Sequence, residues 1–432
     1  MSARAGGEPG ALCAPAGHDT PVAQSARSAA ADEPPYMQVT WTDRETGARG
    51  HVVIDVLIGG LAAGGIRMRP GCSVQEVADL ARAMTRKDAI AYRPGSRHLP
   101  VGGGKGGIDF DPLDERAPGV LERFMAAMRP LLTSCWAAGE DMGVRQDDLD
   151  QIAVRLGMRS TVDAALARLP DGPEAGLARI AAGFALTDRG IALAELIGGF
   201  GVARAAIAAL REMGRDPEGA TAVVQGFGSM GGATARYLAD AGLRVIGIAD
   251  VDGLVHNAGG LDVERLLARR DRFGRLDRTA LDAGDELLDR ESWRTLHADV
   301  LVPAAASYAI DEQTAQRLDV SVVVEAANVA TAPEAEQLLA ARGTPVVCDF
   351  IANLATNAWW WWILEGEIQL TCEAAFERTD ELMRELVGEA FERTEPGRPL
   401  RAAGHAMARE RMCAAIAYAP GEASQASGAA AS

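Results

Sequence analysis

Lys105 is the only charged residue in a glycine-rich stretch, GGGKGG (102–107), that runs straight into a strand-like segment. A phosphate-binding P-loop requires Ser or Thr where this chain has Gly106 and a glycine where it has Leu99, so a P-loop is excluded. The glycines would instead let substrate and backbone approach a partly desolvated ammonium group, which suits proton transfer or polarisation of a carbonyl. The alternative is a glycine-rich turn that carries a solvated lysine.

A second glycine pattern, GFGSMG, follows the apolar strand-like segment 221–225 and begins a helix-like segment. In this context the glycines permit a tight turn and close approach of a pyrophosphate, while the helix N-terminus supplies N–H donors. The alternative is an ordinary glycine turn. The predicted cofactor-binding residues of the turn are Gly226, Phe227, Gly228, Ser229, Met230 and Gly231.

Asp250 ends the next strand-like segment, 19 residues after Gly231, where a carboxylate can bind the hydroxyl groups of the adenosine ribose. Asp250 and Asp252, with no arginine between them, would repel a 2′-phosphate. The sequence therefore predicts NAD as the cofactor, with NADP as the alternative.

Composition narrows the class of protein. The chain has 432 residues and is 48% hydrophobic, enough for two or three domains. Its net charge of −17, without a basic run, argues against nucleic acid as a partner. Six scattered cysteines argue against a disulfide scaffold or a metal site and fit a reducing cytoplasm. We expect no segment that could cross a membrane, and no membrane partner.

The elements that must position these residues alternate between strand and helix patterns. Strand-like runs fill 37–111, interrupted by a helix that begins at Ser73 with a capping-box Glu76. Helical patterns cover 119–132, 146–156 and 185–213, before the βαβ pattern of 221–250. The predicted fold class is α/β, with an N-terminal α/β domain followed by a Rossmann-type, doubly wound dinucleotide-binding domain. We expect 1–33 and 421–432 to be disordered tails.

Over roughly 36–355, a series of motifs resembles the glutamate/leucine/phenylalanine/valine dehydrogenases in order as well as in residues. The lead-in to Arg67 looks more like the leucine/phenylalanine branch, whereas KGGIDFDP after the glycines looks more like the glutamate branch. The motifs are LAAGGIRM (61–68), MTRK (84–87), VGGGKGGIDFDP (101–112), GEDMGV (139–144), LTDRG (186–190), GFGSMG (226–231) and VVVEAAN (322–328).

The resemblance implies a homo-oligomeric enzyme that converts an L-amino acid to a 2-oxo acid and ammonia while passing a hydride to a nicotinamide. Residues 36–184 would form the substrate-binding and oligomerisation domain and 185–350 the NAD-binding domain. A helical segment, 351–420, would return to the first domain. The active site would lie in the cleft between the domains.

Individual roles also follow from the resemblance. Lys105 matches the catalytic lysine that activates the water attacking the iminium carbon, and Asp141 matches the aspartate that exchanges a proton with the amino group. Lys87 would hold the substrate α-carboxylate. The remaining predicted contacts are the main chain of Gly64 and Gly65 along the substrate, Thr187 and Asn328 on the nicotinamide side, and Asn353 at a substrate carboxylate.

Ala63 departs from the glutamate branch, in which a lysine at this position grips the γ-carboxylate of the substrate. Its methyl group predicts an uncharged, apolar substrate side chain of the leucine, valine or phenylalanine kind, unless Arg67 or Arg69 supplies the charge. Glutamate dehydrogenase proper is one alternative. A catalytically silent paralogue that binds a nucleotide or an amino acid is another.

Two further departures lie in 88–104 and 354–366. The first segment is about six residues longer than the family pattern and carries His98, either as a loop-surface residue or as a pocket residue. The second contains four consecutive tryptophans, 359–362, which sweep every face of a helix. We expect at least one indole in the domain core or a subunit contact and at least one at the cleft.

Overall fold

The computed structural model describes residues 34–98, 100–271 and 273–418. The two predicted disordered tails, 1–33 and 421–432, lie outside the described residues. Contacts divide the described chain into two compact units, of which unit 1 contains 34–173 and 408–418, and unit 2 spans Glu174–Met407. These boundaries fall earlier than 184 and later than 350, the positions expected from the sequence.

Unit 1 is built on a mixed sheet with the strand order β1-β2-β5-β3-β6, and β4 also pairs with β5. Strands β1, β2 and β5 are antiparallel neighbours, whereas β3 and β4 run parallel to β5. The strands are β1 (Met37–Thr42), β2 (Arg49–Ile54), β3 (Ala62–Ala63), β4 (Ile66–Met68), β5 (Gly102–Asp109) and β6 (Trp136–Ala137). The helices are α1 (Val74–Ala91), α2 (Ala117–Ser134), α3 (Gln146–Arg155) and α4 (Asp163–Leu166).

Strand β5 contains the glycines that surround Lys105, and one of its faces lies directly against α1. A Cβ added at Gly103 would lie 2.0 Å from the carbonyl oxygen of Ala81, and one at Gly107 would lie 2.4 Å from Cγ2 of Val77. Alternation along the strand places Lys105 on this same face. The glycines are therefore needed for close approach of the helix, and Lys105 is the one side chain between them.

The opposite face of β5 is covered by the indole of Trp136. A Cβ at Gly104 would lie 2.9 Å from Cδ1 of Trp136, and one at Gly106 would lie 2.7 Å from Cη2. The ring also donates from Nε1 to the carbonyl oxygen of Gly64 at 3.0 Å. The indole of Trp136 thus packs on β5 and also holds Gly64, which lies between β3 and β4.

Helix α1 begins where the capping pattern predicts, although the Glu76 carboxylate binds Arg67 and Arg69 instead of completing the capping box. Ser73 is its N-cap, and the Ser73 hydroxyl accepts a hydrogen bond from the backbone N–H of Glu76 at 3.2 Å. Thr85 ties the helix to the sheet, because its hydroxyl donates to Asp55 at 2.6 Å and accepts from the N–H of Gly103 at 3.1 Å.

Unit 2 contains a seven-stranded sheet with the order β12-β11-β10-β9-β13-β14-β15. Strands β10, β9, β13, β14 and β15 are parallel, and the antiparallel pair β11 and β12 closes one edge. The predicted α/β class and the Rossmann-type sheet are confirmed. The strands are β7 (Thr187–Asp188), β8 (Ile191–Ala192), β9 (Thr221–Gln225), β10 (Arg244–Asp250), β11 (Gly253–His256), β12 (Glu286–Leu288), β13 (His297–Pro303), β14 (Asp319–Val324) and β15 (Val346–Val347).

Helices flank this sheet and continue to the last described residue, the final helix spanning the boundary between the units. Short 3-10 turns occupy Arg278–Ala280 and Arg290–Arg294. The α-helices are α5 (Pro173–Phe184), α6 (Leu193–Glu212), α7 (Ser229–Asp240), α8 (Val263–Arg269), α9 (Glu312–Arg317), α10 (Pro333–Ala341), α11 (Asp349–Ala352), α12 (Ala355–Glu365), α13 (Cys372–Glu392) and α14 (Leu400–Tyr418).

Helix α6 differs from the sequence expectation in two ways. It begins at Leu193 rather than near 185, because β7 and β8 form a hairpin whose turn places Arg189 and Gly190 at positive φ. It is also long and apolar enough, by length and composition, to cross a membrane, contrary to the expectation that no segment would be. Its most apolar window is 78% buried inside the folded chain, as in a core helix.

The tryptophan run lies in α12 and belongs to the packing of unit 2. Trp359, Trp361 and Trp362 are buried, whereas Trp360 is partly exposed. Trp359 packs against Phe184 with ring centroids 5.5 Å apart, which confirms the expectation that at least one indole lies in a domain core. The placement of an indole at the substrate stays a prediction.

We predict that Gly103→Ala destabilises the protein by about 3 kcal/mol, at the upper end of overpacking costs, because the new methyl group overlaps the backbone of α1. Gly119→Ala is the matched control in the same unit, since its Cβ would meet no backbone and only the guanidinium of Arg123, 3.1 Å away. Urea unfolding of both variants measures the difference. Equal stabilities would show that β5 and α1 can separate without loss.

Candidate active site and dinucleotide site

Lys105 and Asp141 form an ion pair, with Nζ of Lys105 2.8 Å from Oδ2 of Asp141. Lys105 is only 7% exposed. Asp141 lies on a segment that runs beside β4, since Ile66 N donates to Gly139 O and Met68 N to Met142 O. The structure therefore brings the two predicted catalytic residues into direct contact.

Arg67 is the third member of a cluster with Lys105 and Asp141, and the sequence did not predict it there. Its Nε donates to the same oxygen of Asp141 at 3.0 Å, and its Nη1 donates to Oε1 of Glu76 at 2.8 Å. From the sequence, Arg67 was predicted only as a possible cation for the substrate. The available signal was the strand pattern, in which Arg67 lies between the buried residues Ile66 and Met68. Side chains alternate along a strand, so Arg67 points to the other face of the sheet from these two.

The two cations control the charge of Asp141. Burial raises the pKa of Asp141, but the charges and hydrogen bonds of Lys105 and Arg67 outweigh burial and lower it to about 2. Asp141 is therefore ionised at neutral pH. Both cations bind Oδ2, and the described residues donate no hydrogen bond to Oδ1, which is left to accept one from a ligand.

The predicted substrate residues of unit 1 lie around this pair. Gly64 has φ +148°, and a Cβ there would lie 1.9 Å from the carbonyl oxygen of Gly104. The carbonyl of Gly65 accepts from the N–H of Gly106 at 3.1 Å, so the sheet holds this main chain beside Lys105. Ala63 is a buried residue of β3.

Lys87 lies in α1 and is half-buried. It follows Met84 by three residues, which places both on one side of the helix. Cγ of Met84 lies 3.1 Å from the position a Cβ of Gly64 would take. Lys87 is therefore on the side of α1 that faces the glycine segment.

His98, in the loop before β5, is more buried than the sequence predicted. His98 is 4% exposed, and its ring lies 6.2 Å from that of Tyr92. The interpretation of His98 as a loop-surface residue is wrong, because the loop folds inward at this point.

In unit 2, the turn Gly226–Gly231 joins β9 to α7 in the way a pyrophosphate site requires. A Cβ at Gly231 would lie 2.0 Å from the carbonyl oxygen of Gly226, whereas one at Gly228 would meet nothing within 4 Å. The N–H of Gly232 donates to Gly228 O, so the preceding N–H groups have no acceptor within the helix. These features fit a dinucleotide phosphate.

Side chains of the same turn serve packing. Phe227 is buried, and the sulfur of Met230 lies 3.0 Å from the position of a Cβ at Gly198 on α6. Ser229 begins α7. Arg270, which no sequence pattern pointed to, donates to the carbonyl oxygens of Phe227 and Gly228 at 3.1 and 2.6 Å.

Asp250 ends β10 as predicted, but its carboxylate is already bound within the chain. Nη1 and Nη2 of Arg278 each donate to one of its oxygens at 2.6 Å, and the backbone N–H groups of Leu276 and Asp252 add two more bonds. Burial raises the pKa of Asp250, but these hydrogen bonds lower it below the usual range. Arg278 lies 28 residues beyond Asp250, so no local pattern revealed it.

Asn328 and Asn353 meet in unit 2. Nδ2 of Asn353 donates to Oδ1 of Asn328 at 3.0 Å and to the carbonyl oxygen of Ala326 at 3.1 Å. Thr187 begins β7 and is exposed, and its carbonyl accepts a hydrogen bond from the thiol of Cys372. The described residues contain no group of His, Cys, Asp or Glu side chains arranged to hold a metal ion.

Comparison with known proteins identifies the family. The family model described as Glu/Leu/Phe/Val dehydrogenase, dimerisation domain, matches residues 36–156, and the Glutamate/Leucine/Phenylalanine/Valine dehydrogenase model matches 190–416. The chain belongs to this dehydrogenase family. It is an NAD(P)-dependent amino-acid dehydrogenase that acts on the CH–NH2 group of its donor.

The chain is similar to these relatives over most of its own length and of theirs. The NADP-specific glutamate dehydrogenase A1 of Halobacterium salinarum is 33% identical over 363 residues, which are 81% of each chain. The NAD-specific glutamate dehydrogenase of Staphylococcus aureus is 32% identical over 335 residues, 77% of this chain and 76% of the relative. A hetero-hexameric glutamate dehydrogenase from Thermus thermophilus, in a Leu-bound form, superposes with a TM-score of 0.69 at 29% identity, covering 88% and 89% of the two chains.

We predict that Lys105→Ala and Asp141→Asn each lower kcat of the dehydrogenase by roughly a thousandfold, within the range of general acid–base contributions, while dinucleotide binding is retained. Steady-state kinetics and NADH fluorescence titration measure the two effects. Asp147→Asn, an exposed carboxylate of the same unit, is the control. A variant that keeps near-normal turnover would remove its residue from the mechanism.

We predict that Asp250→Ala raises the ratio of kcat/KM with NADP to kcat/KM with NAD by about tenfold, the worth of one charge-assisted hydrogen bond. The change removes a carboxylate that repels a 2′-phosphate and releases both Nη groups of Arg278. The double variant Asp250→Ala/Arg278→Ala should show a smaller gain. An unchanged ratio in both variants contradicts a role for Asp250 in choosing the cofactor.

Proposed function

We propose that this protein catalyses the reversible oxidative deamination of an L-amino acid with an uncharged, apolar side chain, using NAD in preference to NADP. The products are a 2-oxo acid and ammonia. The family membership supports the reaction, and the cations of unit 1 support the choice of side chain.

The observation that supports an uncharged side chain is that Arg67 and Arg69 are already paired within the chain. Both guanidinium groups bind Glu76, and Arg67 also binds Asp141 while Arg69 donates to the carbonyl of Pro70. Ala63 offers no charge. A substrate γ-carboxylate would therefore have to break an existing ion pair or remain unpaired, a penalty on the order of 2–5 kcal/mol, or roughly 30- to several-thousand-fold in specificity.

The ion pair in unit 1 supports a division of labour in the reaction. Oδ1 of Asp141 is the oxygen free to accept a proton from the substrate ammonium group, while Oδ2 stays bound by Lys105 and Arg67. Lys105 would hold and activate the attacking water, and Lys87 would bind the α-carboxylate. Bound NAD(P)+ supplies the hydride acceptor.

The cofactor would be held by the turn at the start of α7. Backbone N–H groups of Ser229, Met230 and Gly231 would donate to the pyrophosphate, with Gly228 leaving room for it. Thr187 and Asn328 would contact the nicotinamide side. The preference for NAD is supported by Asp250 and Asp252 at the end of β10, because they pair with Arg278 and Arg275 and so keep both cations from a 2′-phosphate.

Glutamate dehydrogenase proper is the second candidate. The names of the relatives and the glutamate-like sequence KGGIDFDP favour it. We further propose a homo-oligomer that works in the cytoplasm. The dimerisation-domain match and the hexameric neighbour support an oligomer.

We predict that kcat/KM for L-leucine, L-valine or L-phenylalanine exceeds that for L-glutamate by at least about thirtyfold in one buffer, because glutamate lacks a cation to pair with. NADH absorbance measures all four rates. A glutamate rate tenfold or more above the others contradicts the proposal and favours glutamate dehydrogenase. Absence of activity with any L-amino acid contradicts the reaction itself.

Position 63 offers a sharper test. Ala63→Lys should raise the ratio of kcat/KM for glutamate to that for the best apolar substrate by about tenfold or more, because it restores a cation for the γ-carboxylate. Ala63→Met has similar length without charge and should not raise that ratio. If both variants change the ratio equally, side-chain volume rather than charge is responsible.

A further inference from the structure

Arg401 of unit 2 is surrounded by three buried carboxylates. Its Nη2 lies 2.6 Å from Glu325, its Nε 2.6 Å from Glu336 and its Nη1 2.8 Å from Asp349. The exposed fractions of the three acids are 0, 3 and 4%. One guanidinium cannot neutralise three carboxylates, and buried charge is costly unless it is paired, so this excess of acid calls for a reason beyond stability.

Glu325 differs from the other two acids in what it binds besides Arg401. Its Oε1 accepts from the backbone N–H of Thr331 at 2.6 Å, and its Oε2 accepts from the backbone N–H of Asp349 at 2.9 Å. Glu336 does not bind the N–H groups of Thr331 and Asp349, since its backbone contact is with Arg401, and the described residues leave its Oε1 without a partner. A single carboxylate therefore fixes two separate backbone segments. One is the loop that contains Thr331, and the other begins at Asp349.

The first of these segments is the loop after β14, which carries Asn328. Within it Val329 has φ +49°, a conformation that a β-branched residue adopts only under strain. Such a residue keeps its conformation only where its surroundings hold it. The bond from Glu325 to Thr331 and the bond from Tyr308 N to Val329 O, at 2.8 Å, provide that hold.

The second segment is α11, whose C-cap residue is Asn353. The amide of Asn353 has one chemically sensible orientation, because its Nδ2 faces the carbonyl oxygen of Ala326 and a flipped amide would set two oxygens against each other. Its Oδ1 is consequently a buried acceptor, and among the described residues it has no donor. Asn353 is 7% exposed, so this unpaired oxygen is costly.

We propose that Glu325 is a positioning residue of this dehydrogenase: it holds Asn328 and Asn353 in register, so that Oδ1 of Asn353 accepts a hydrogen bond from an N–H group of the bound ligands. An acceptor cannot bind a carboxylate, so this replaces the carboxylate contact expected of Asn353. The N–H group belongs either to the nicotinamide carboxamide or to the amino group of the substrate. The inference rests on the dehydrogenase reaction and not on which amino acid is the substrate.

Glu325→Gln, with Glu336→Gln as the matched control, tests the positioning role. Both variants remove one charge beside Arg401, but only the first weakens the acceptor of the Thr331 and Asp349 N–H groups. In the protein without ligands, amide hydrogen exchange at these two residues should become at least tenfold faster in Glu325→Gln only. With its best amino acid, kcat should fall by about a hundredfold in Glu325→Gln, the order of loss expected for misplaced ligands, and by less than threefold in the control.

Stability separates positioning from unfolding. Burial raises the pKa of Glu325 to about 7, although Arg401 acts in the opposite direction. Because the pKa of Glu325 is higher in the folded than in the unfolded state, its protonated form stabilises the fold at low pH. That stability is lost as the pH rises through the folded-state pKa. At pH 8 the neutral glutamine does not suffer this loss, so we expect the unfolding temperature of Glu325→Gln to be no lower than that of the unaltered protein.

The proposal is overturned if Glu325→Gln matches Glu336→Gln in both exchange and kcat, or if both variants lose activity and stability together. Asn353→Leu, of similar volume, provides a second route should Glu325→Gln not fold. A tenfold weaker affinity for NADH by fluorescence titration assigns the N–H group to the carboxamide. A tenfold higher KM for the amino acid with unchanged NADH affinity assigns it to the amino group, and no change in either overturns the proposal.

Discussion

The close contact between helix α1 and strand β5 is the constraint on which unit 1 depends. Gly103 and Gly107 admit the helix on one face of the strand, and Gly104 and Gly106 admit the indole of Trp136 on the other. Lys105 is the only residue of this run with a side chain, and it is held on the face toward α1. The loss of backbone entropy that the five glycines of 102–107 entail is thus offset by a tightly packed strand that gives one ammonium group a fixed place.

Charge pairing then determines what the fixed groups can do. Asp141 stays ionised because two cations outweigh its burial, and both bind the same oxygen. The pairing of Arg67 with Asp141 and Glu76 also withdraws that arginine from the substrate. A single network in this way holds Lys105 and Asp141 together and, in the proposed function, limits the charge available to a substrate side chain.

The sequence by itself determined the features that depend on local pattern. Strand and helix periodicity indicated the α/β class, and the glycine turn before α7 indicated the Rossmann-type unit, because backbone geometry at a tight turn restricts residue type within a few positions. The ordered motifs around Lys105 and Asp141 indicated the dehydrogenase family, which the family models confirm. Helix α1 and its cap followed from the spacing of Ser73 and Glu76.

Only the tertiary structure decided which charges meet. The choice of partner depends on distances in space. Each carboxylate could pair with any of many arginines, so spacing along the chain carries no information about the pair that forms. The same applies to burial, since folding brought His98 inward and enclosed three of the four indoles of α12. The deciding pairs, separated by 74, 28 and 76 residues, are Arg67 with Asp141, Arg278 with Asp250 and Arg401 with Glu325.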